Sequence, residues 1–260
     1  MLHERRNKII QMLRDSRIVK VSDLVELFDV SVETIRRDLE YLENQGYLKR
    51  VYGGAVPKTM YGQEPAYSSR EIRNYAEKYA IAEKALELIE DGDTIEIDIG
   101  TTTLELAKLL MGQRKITVLT NSLQIAILLA GDKDITVILL GGKVRGGEFS
   151  TSGFITESNM NLFNVDKVIL GVGGITADDG ITDYHMEESH LRRNAIDRTQ
   201  KVIALADYSK FGVTSMNRVC EARKIDTIIT DIKADKQIIA KYKSLGVKVL
   251  VVEPLRPIPN

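Results

Sequence analysis

The 260-residue chain has no tryptophan, one cysteine, three histidines and only five prolines. A lone Cys220 excludes an internal disulfide and suits a reducing compartment, so the expected location is the cytoplasm. No apolar run approaches the length that spans a bilayer, and charges stand where a signal peptide would be apolar, so no membrane partner is expected. With 36 Lys/Arg against 37 Asp/Glu the net charge is −1, which removes any bulk attraction for a polyanion. Residues 1–56 hold ten basic against nine acidic side chains, so attraction to nucleic acid must come from a local face. What remains is an ordinary globular composition, 43% hydrophobic and 28% charged, long enough for one or two domains with proper cores. No internal repeat or low-complexity tract interrupts it.

The most informative stretch is Ser31–Gln45, SVETIRRDLEYLENQ. Ser31 suits a helix N-cap, and Ile35, Leu39 and Leu42 fall on one stripe at i, i+4 and i+7. Glu33, Thr34, Arg36 and Arg37 then face elsewhere in the first two turns, where a reader of base edges and phosphates needs them. An amphipathic helix with a solvated charged face would look the same, so the neighbours decide. Upstream, Ser22 reads as the N-cap of a short helix carrying Leu24, Leu27 and Phe28, and Asp29-Val30 allows only a tight turn. That is the helix-turn-helix arrangement. Glu4–Asp15 supplies a supporting helix with Ile9, Ile10 and Leu13. Gly46 fits a C-cap, and Tyr47–Val56 alternates up to Gly53-Gly54 as a β-wing would.

Residues 4–56, above all VSVETIRRDLEYLENQGYLKRVYGGAV, resemble the DNA-binding domain of the DeoR family of bacterial transcriptional regulators. The resemblance implies Ser31, Thr34, Arg36 and Arg37 at the DNA, and Lys49 and Arg50 on flanking phosphates; Ser22 is counted with them.

Pro57–Tyr67, PKTMYGQEPAY, reads as a linker, followed by a helix from about Glu71 to Glu90. Strands are expected at Thr94–Ile99, Ile116–Thr120, Thr136–Leu140, Lys167–Gly171, Lys201–Ala206, Thr227–Thr230 and Lys248–Val252. Helical patterns lie between several of them, which predicts a mostly parallel sheet with ligands at its strand ends. Those ends are Asp98-Ile99-Gly100-Thr101-Thr102-Thr103, Thr120-Asn121-Ser122, Leu140-Gly141-Gly142-Lys143 and Gly171-Val172-Gly173-Gly174. Glycine turns feeding hydroxyls, a lysine and free N–H groups into helix starts make a phosphate cradle. Any one of them serves equally as turn chemistry; four in succession favour an anionic ligand.

GTTT (100–103), TNS (120–122), LLGG (139–142) and ADYSKFG (206–212) are also similar to the DeoR family's effector domain, from about Tyr79 to Asp231. That domain is similar in fold to ribose-phosphate isomerases and coenzyme A transferases, and in the family it senses sugar phosphates. The resemblance assigns Asp98, Thr101, Thr102, Thr103, Thr120, Asn121, Ser122, Gly141 and Gly142 to a pocket floor. It assigns Asp183, Glu187 and Lys210 to the rim, and Gly100, Lys143 and Gly173 complete the set. The family often has Gly-Ala-Asp-Gly where this chain has Gly171-Val172-Gly173-Gly174, so a carboxylate is missing there.

The expected fold class is therefore α/β, with a winged helix-turn-helix domain at 1–56, a linker at 57–74 and an effector domain at 75–260. The expected function is transcriptional regulation, by repression, of a sugar-metabolism operon, through a homodimer or homotetramer that binds double-stranded DNA and a phosphorylated sugar. The alternative is an isomerase-type enzyme with an appended DNA-binding module, for which Asp178, Asp179, Asp183 or Glu187 would have to supply the base; a protein-binding adaptor is a third reading. No cofactor and no metal are expected: His185, Glu187, Glu188 and His190 lack the spacing of the HExxH pattern and read as polar helix-start residues. His3 is expected at the surface, and Arg145, Arg192 and Arg193 in solvent or at oligomer contacts.

Overall fold

A computed structural model describes residues 2–16, 18–57 and 64–254. It divides into two compact units, residues 1–62 and 63–260. The His3 side chain and residues 58–63 of the expected linker lie outside what is described.

The first unit runs α1 (Leu2–Ser16), β1 (Val19–Lys20), α2 (Val21–Phe28), α3 (Val32–Asn44), β2 (Leu48–Val51) and β3 (Gly54–Pro57). The expected stripes make its core: Ile9, Leu13, Leu24, Ile35, Leu39, Leu42 and Leu48 are buried together. Leu27 departs from its stripe and is half exposed. Ser31 caps α3 by accepting from the Thr34 amide at 3.2 Å, while its Oγ lies 2.9 Å from that of Thr34, a hydroxyl pair in place of a capping box. At the other end Gly46 donates to Glu43 and Tyr47 to Leu42, a Schellman closure. Asp29 makes the α2–α3 turn in the left-handed region, which a short polar side chain tolerates.

Ser22 does not cap α2. The helix starts at Val21, directly from β1, and the Val21 amide donates to the wing carbonyl of Gly53 at 2.9 Å. The wing thus satisfies a helix-start amide, and the Ser22 hydroxyl is left to bond exposed Asp23. β3 lies between β1 and β2 in an antiparallel sheet. A Cβ on Gly54 would stand 2.1 Å from the Val19 carbonyl oxygen, so only glycine lets β1 join the wing.

In the second unit the single helix expected from Glu71 to Glu90 is two, α4 (Tyr67–Ile72) and α5 (Tyr75–Leu86). They break at Asn74, a left-handed residue whose side-chain Nδ2 donates to Asp207 Oδ1 at 2.9 Å. That long-range bond overrides a locally continuous helical pattern. The remainder follows in order: β4 (Thr94–Ile97), α6 (Thr101–Leu110), β5 (Ile116–Thr120), α7 (Leu123–Leu129), β6 (Ile135–Leu139), β7 (Lys143–Arg145), β8 (Ser150–Ser152), α8 (Phe154–Met160), β9 (Val165–Gly171), β10 (Gly174–Thr176), β11 (Gly180–Asp183), α9 (Met186–Ile196), β12 (Thr199–Leu205), β13 (Asn217–Cys220), β14 (Thr227–Asp231), α10 (Lys236–Ser244) and β15 (Lys248–Val252).

Seven strands form one parallel sheet in the order β15-β14-β12-β9-β4-β5-β6. Its two faces carry separate cores, one around Val168, Leu170, Ala204 and Tyr242, the other around Ile81, Ile97, Leu106 and Ile169. Chain order reverses between β4 and β9, and a crevice opens where strands diverge at such a switch point. The sequence reading missed two small antiparallel additions beside this crevice, β7-β8 and β10-β11-β13. Their strands have three or four residues each, too short to show a period.

Candidate functional site

In the first unit, α3 presents its start outward. Ser31, Arg36 and Arg37 are exposed and Thr34 is half-buried, while Ile35, Asp38 and Leu39 turn inward. Arg37 lies 3.8 Å from Glu33 one turn earlier, a loose pair between strongly exposed groups that leaves the guanidinium available. The inward Asp38 was unassigned by sequence reasoning. Its two oxygens accept from Arg5 and Arg6 of α1, each at 2.6 Å, and the Arg6 guanidinium stacks 3.7 Å from the centre of the Tyr41 ring. This clamp fixes α3 on its support. In the wing Lys49 is exposed, whereas Arg50 is held by Glu43 of α3 at 2.6 Å through its side chain and 2.8 Å through its amide. Tyr52, at the tip between β2 and β3, is fully exposed.

In the second unit Asp98, Gly100, Gly173 and Asp183 meet at the β4/β9 switch point. Asp98 Oδ2 accepts from the Gly171 amide at 3.1 Å and from Arg192 Nε at 2.7 Å. Arg192 Nη1 lies 2.8 Å from Asp183 Oδ2, off line for a hydrogen bond and thus an ion-pair contact. Arg192 is buried; its expected place in solvent or at an oligomer contact is corrected, because two buried carboxylates require a cation between them. Gly173 is obligatory: a Cβ there would come within 2.9 Å of Asp183 Oδ2. Burial pushes the Asp98 carboxyl up to about 6 against the opposing pull of Arg192. Glu96, buried on β4 two residues earlier, is raised as well, by burial and by Asp98 against Arg192.

The second knot lies around β7, β8 and the start of α9. Glu187 accepts from Lys143 at 2.8 Å and from Ser152 at 2.7 Å, which holds its carboxyl below the usual range. Gly141 is joined to α8 through its carbonyl, which accepts from Thr156 at 2.8 Å; Gly142 is exposed beside it. Asn121 donates to the Thr151 carbonyl at 3.1 Å, and its Oδ1 is buried without a hydrogen-bond partner, as is His185 Nδ1.

Several predicted hydroxyls have internal work. Thr103 bonds the Gly100 carbonyl at 3.0 Å, Thr120 the Ile97 carbonyl at 2.7 Å, and Ser122 caps α7. Thr101 and Thr102 are buried at the start of α6. Lys210 is half-buried just past β12, and burial lowers its pKa while Asp207 opposes that. Lys78 of α5, also unassigned from sequence, is buried and donates to the Arg70 carbonyl; burial lowers it to about 8, with Lys210 and Arg70 adding repulsion. A signal for Arg192 and Lys78 was present only in their being charges on apolar helix faces. His190 is exposed, Glu188 turns to Arg145 at 2.9 Å, and among the described residues no group of three potential metal ligands converges. A groove of about 310 Å³ lies elsewhere, between α10 and β15, lined by Ile232, Ala234, Ile239 and Val251 among others. The strand ends are the better candidate because charged side chains and the unpartnered Asn121 Oδ1, His185 Nδ1 and Arg192 Nη1 gather there. Among the described residues no helix is long and apolar enough to cross a membrane.

Residues 5–59 match the family model of the DeoR-like helix-turn-helix domain, and residues 73–232 that of the DeoR C terminal sensor domain. The chain is 38% identical to the HTH-type transcriptional regulator GolR of Listeria innocua, covering 96% of this chain and 98% of that one. It is 33% identical to the putative aga operon transcriptional repressor of Escherichia coli O157:H7, covering 96% and 93%. Among solved structures, ribose 5-phosphate isomerase A from Methanocaldococcus jannaschii aligns over 52% of this chain and 53% of its own, with 15% identity and a TM-score of 0.39, too distant to bear on activity. These full-length relatives are named as regulators and repressors, which sets the isomerase alternative aside. The chain belongs to the DeoR family: it is a DNA-binding transcriptional regulator with a C-terminal sensor domain, and not an enzyme.

Proposed function

We propose that the protein is a cytoplasmic repressor of a sugar-metabolism operon, that it binds its operator as a homodimer or homotetramer, and that a phosphorylated sugar in the strand-end crevice lowers its affinity for DNA. The observation that carries this reading is the coexistence in one chain of an outward helix start bearing Arg36 and Arg37 and a cluster of buried charged and polar side chains at the strand ends of a switch point. At the duplex, Thr34, Arg36 and Arg37 take base edges and adjacent phosphates, while Ser22, Ser31, Lys49 and Arg50 take the backbone. Glu43 aims Arg50 along the wing. Two copies would read half-sites about 10 base pairs apart, or multiples of that.

At the strand ends the anion sits at the start of α6, on the backbone amides of Gly100–Thr103 with Lys210 and Lys78 as its cations. Asp98, Asp183, Glu187 and Asn121 accept from sugar hydroxyls, with Lys143 beside them; Gly141 leaves the backbone open to the ligand, and Gly142 and Gly173 shape the site by packing against Thr156 and Asp183. The aga operon repressor and the glycerol-3-phosphate regulon repressor of Escherichia coli K12, 33% identical to this chain, carry names that favour this ligand class. Exposed Val144, Phe149, Phe154, Ile155 and Met186, on elements that touch one another beside the crevice, favour self-association.

Replacing Arg36 and Arg37 together with alanine is expected to weaken operator retardation by roughly 100-fold or more, since each such contact contributes about 1–3 kcal/mol. Thermal shifts produced by a panel of sugar phosphates should survive. Unchanged DNA binding would remove α3 from the interface, and a panel without a single shift would remove the ligand class.

A further inference from the structure

Glu64 is the first described residue after the 58–63 stretch that joins the two units, and its carboxylate is held by two arginines. Oε1 lies 3.1 Å from Arg70 Nη2 and Oε2 lies 2.6 Å from Arg145 Nη2. Neither arginine belongs to Glu64 alone. Arg70 also pairs with Glu148, and Arg145 Nη1 reaches Glu188 at 2.9 Å, whose other oxygen accepts from Ser150 at 2.9 Å. All five charged side chains are less than a quarter exposed. Three carboxylates therefore share two guanidiniums, and burial with Glu64 nearby raises the Glu148 carboxyl against the pull of Arg70. Such a set holds only while both guanidiniums stay in place, because the loss of one leaves buried acids facing each other.

The same hairpin reaches the crevice. Arg145, Glu148 and Ser150 lie on or between β7 and β8, and the outer ends of these strands, Lys143 and Ser152, are the two donors to Glu187. Glu187 and Glu188 are adjacent on α9, so one helix start grips the hairpin at its crevice end and at its middle. A ligand hydroxyl bonding Glu187 competes with Lys143 and Ser152 for its two oxygens, and the strand that carries Lys143 also carries Arg145.

We propose that Glu64 is a latch: occupancy of the crevice shifts the β7–β8 hairpin, withdraws Arg145, and frees the chain where it enters the sensor unit, changing how the DNA-binding unit is presented. This rests on the sugar-phosphate reading given above. The coupling is reciprocal: DNA weakens ligand binding by the factor by which the ligand weakens DNA binding, and a change that favours the unlatched form lowers the one affinity and raises the other.

The test uses the full chain carrying Glu64→Gln, a DNA sequence enriched by the wild type from random duplexes, and a panel of glycerol, ribose, fructose and glucose phosphates with inorganic phosphate as reference. The expected result is operator affinity lowered about tenfold, affinity for the active sugar phosphate raised by a similar factor, and a smaller response of DNA binding to that ligand. Both affinities unchanged, both lowered together, or DNA binding lowered with ligand binding unmoved would overturn the latch. If the wild type enriches no DNA or answers to no panel member, the functional reading itself has failed. The latch is then judged by hydrogen exchange: Glu64→Gln must speed exchange in residues 143–152 as well as 64–72, and an unaltered hairpin refutes it.

Discussion

In the N-terminal unit most of the side chains proposed to meet DNA stand clear of the core: Arg36, Arg37 and Lys49 are exposed over Ile35, Leu39 and Leu42, although Ser31 also caps α3 and Arg50 is held by Glu43. In the sensor unit the assignments reverse. Asp98, Thr103, Thr120, Asn121, Ser122 and Asp183 are buried, and each is tied to backbone or to an opposite charge. A duplex is read from outside by a projecting surface, whereas a small anion has to be enclosed, and enclosing it brings polar groups into a desolvated place where they must first satisfy one another. Substitution should therefore separate binding from stability in the first unit and entangle them in the second.

The largest effect that would break this contrast is at Arg192. Replacing it with methionine keeps bulk but leaves Asp98 and Asp183 buried without their cation, and removing one member of such a set costs about 3–5 kcal/mol. Urea denaturation of the full chain should show a loss of this order for the sensor unit. A loss under about 1 kcal/mol, the scale of an exposed pair, would mean that the crevice charges are free to serve the ligand alone.

Asp38 sharpens the comparison from the other side, as a buried polar residue of the N-terminal unit with a fold role. Asp38→Asn withdraws the anion from Arg5 and Arg6, whose side chains keep some contact with water. The expected cost is about 1–3 kcal/mol, below that at Arg192 because both guanidiniums can turn outward. DNA affinity should fall with it, through a loosened α3, and recover at low temperature where the unit is folded. Retardation gels run across temperature distinguish this from Arg36→Ala with Arg37→Ala, whose defect should not recover.

This contrast also explains what was legible in the sequence. Surface recognition is written in local patterns: the Ile35-Leu39-Leu42 stripe, the Ser31 cap and the Gly46 closure are short-range features, and each is found where its spacing put it. The Ser22 cap failed because α2 already begins at Val21, whose amide is taken by the Gly53 carbonyl 32 residues further along the chain. In the sensor unit the parallel sheet was readable from alternating strands and helices. The partners of its polar groups were not, because Arg192 is 94 residues from Asp98 and Glu187 is 44 from Lys143. Asn74 likewise breaks a helix for the sake of Asp207, a pairing that no local window contains.

The smallest effect concerns pH and reports directly on how costly enclosure is. Asp98 has its pKa raised by burial from 3.8 to about 6, so between those values the folded protein holds a proton that the unfolded chain has released. Stability from this group therefore rises as pH falls from above 6 towards 4, the opposite of a carboxylate stabilised by its ion pair. Between pH 7 and pH 5 the gain is about 1 kcal/mol. Glu96, raised by burial and by Asp98, is coupled to it, so the two act as a pair rather than singly. Urea midpoints taken across this range should show wild type gaining on Asp98→Asn as the solution is acidified. If Asp98→Asn instead follows wild type at every pH, then Arg192 fully offsets the burial of Asp98, and the crevice is charged at no cost before any ligand enters it.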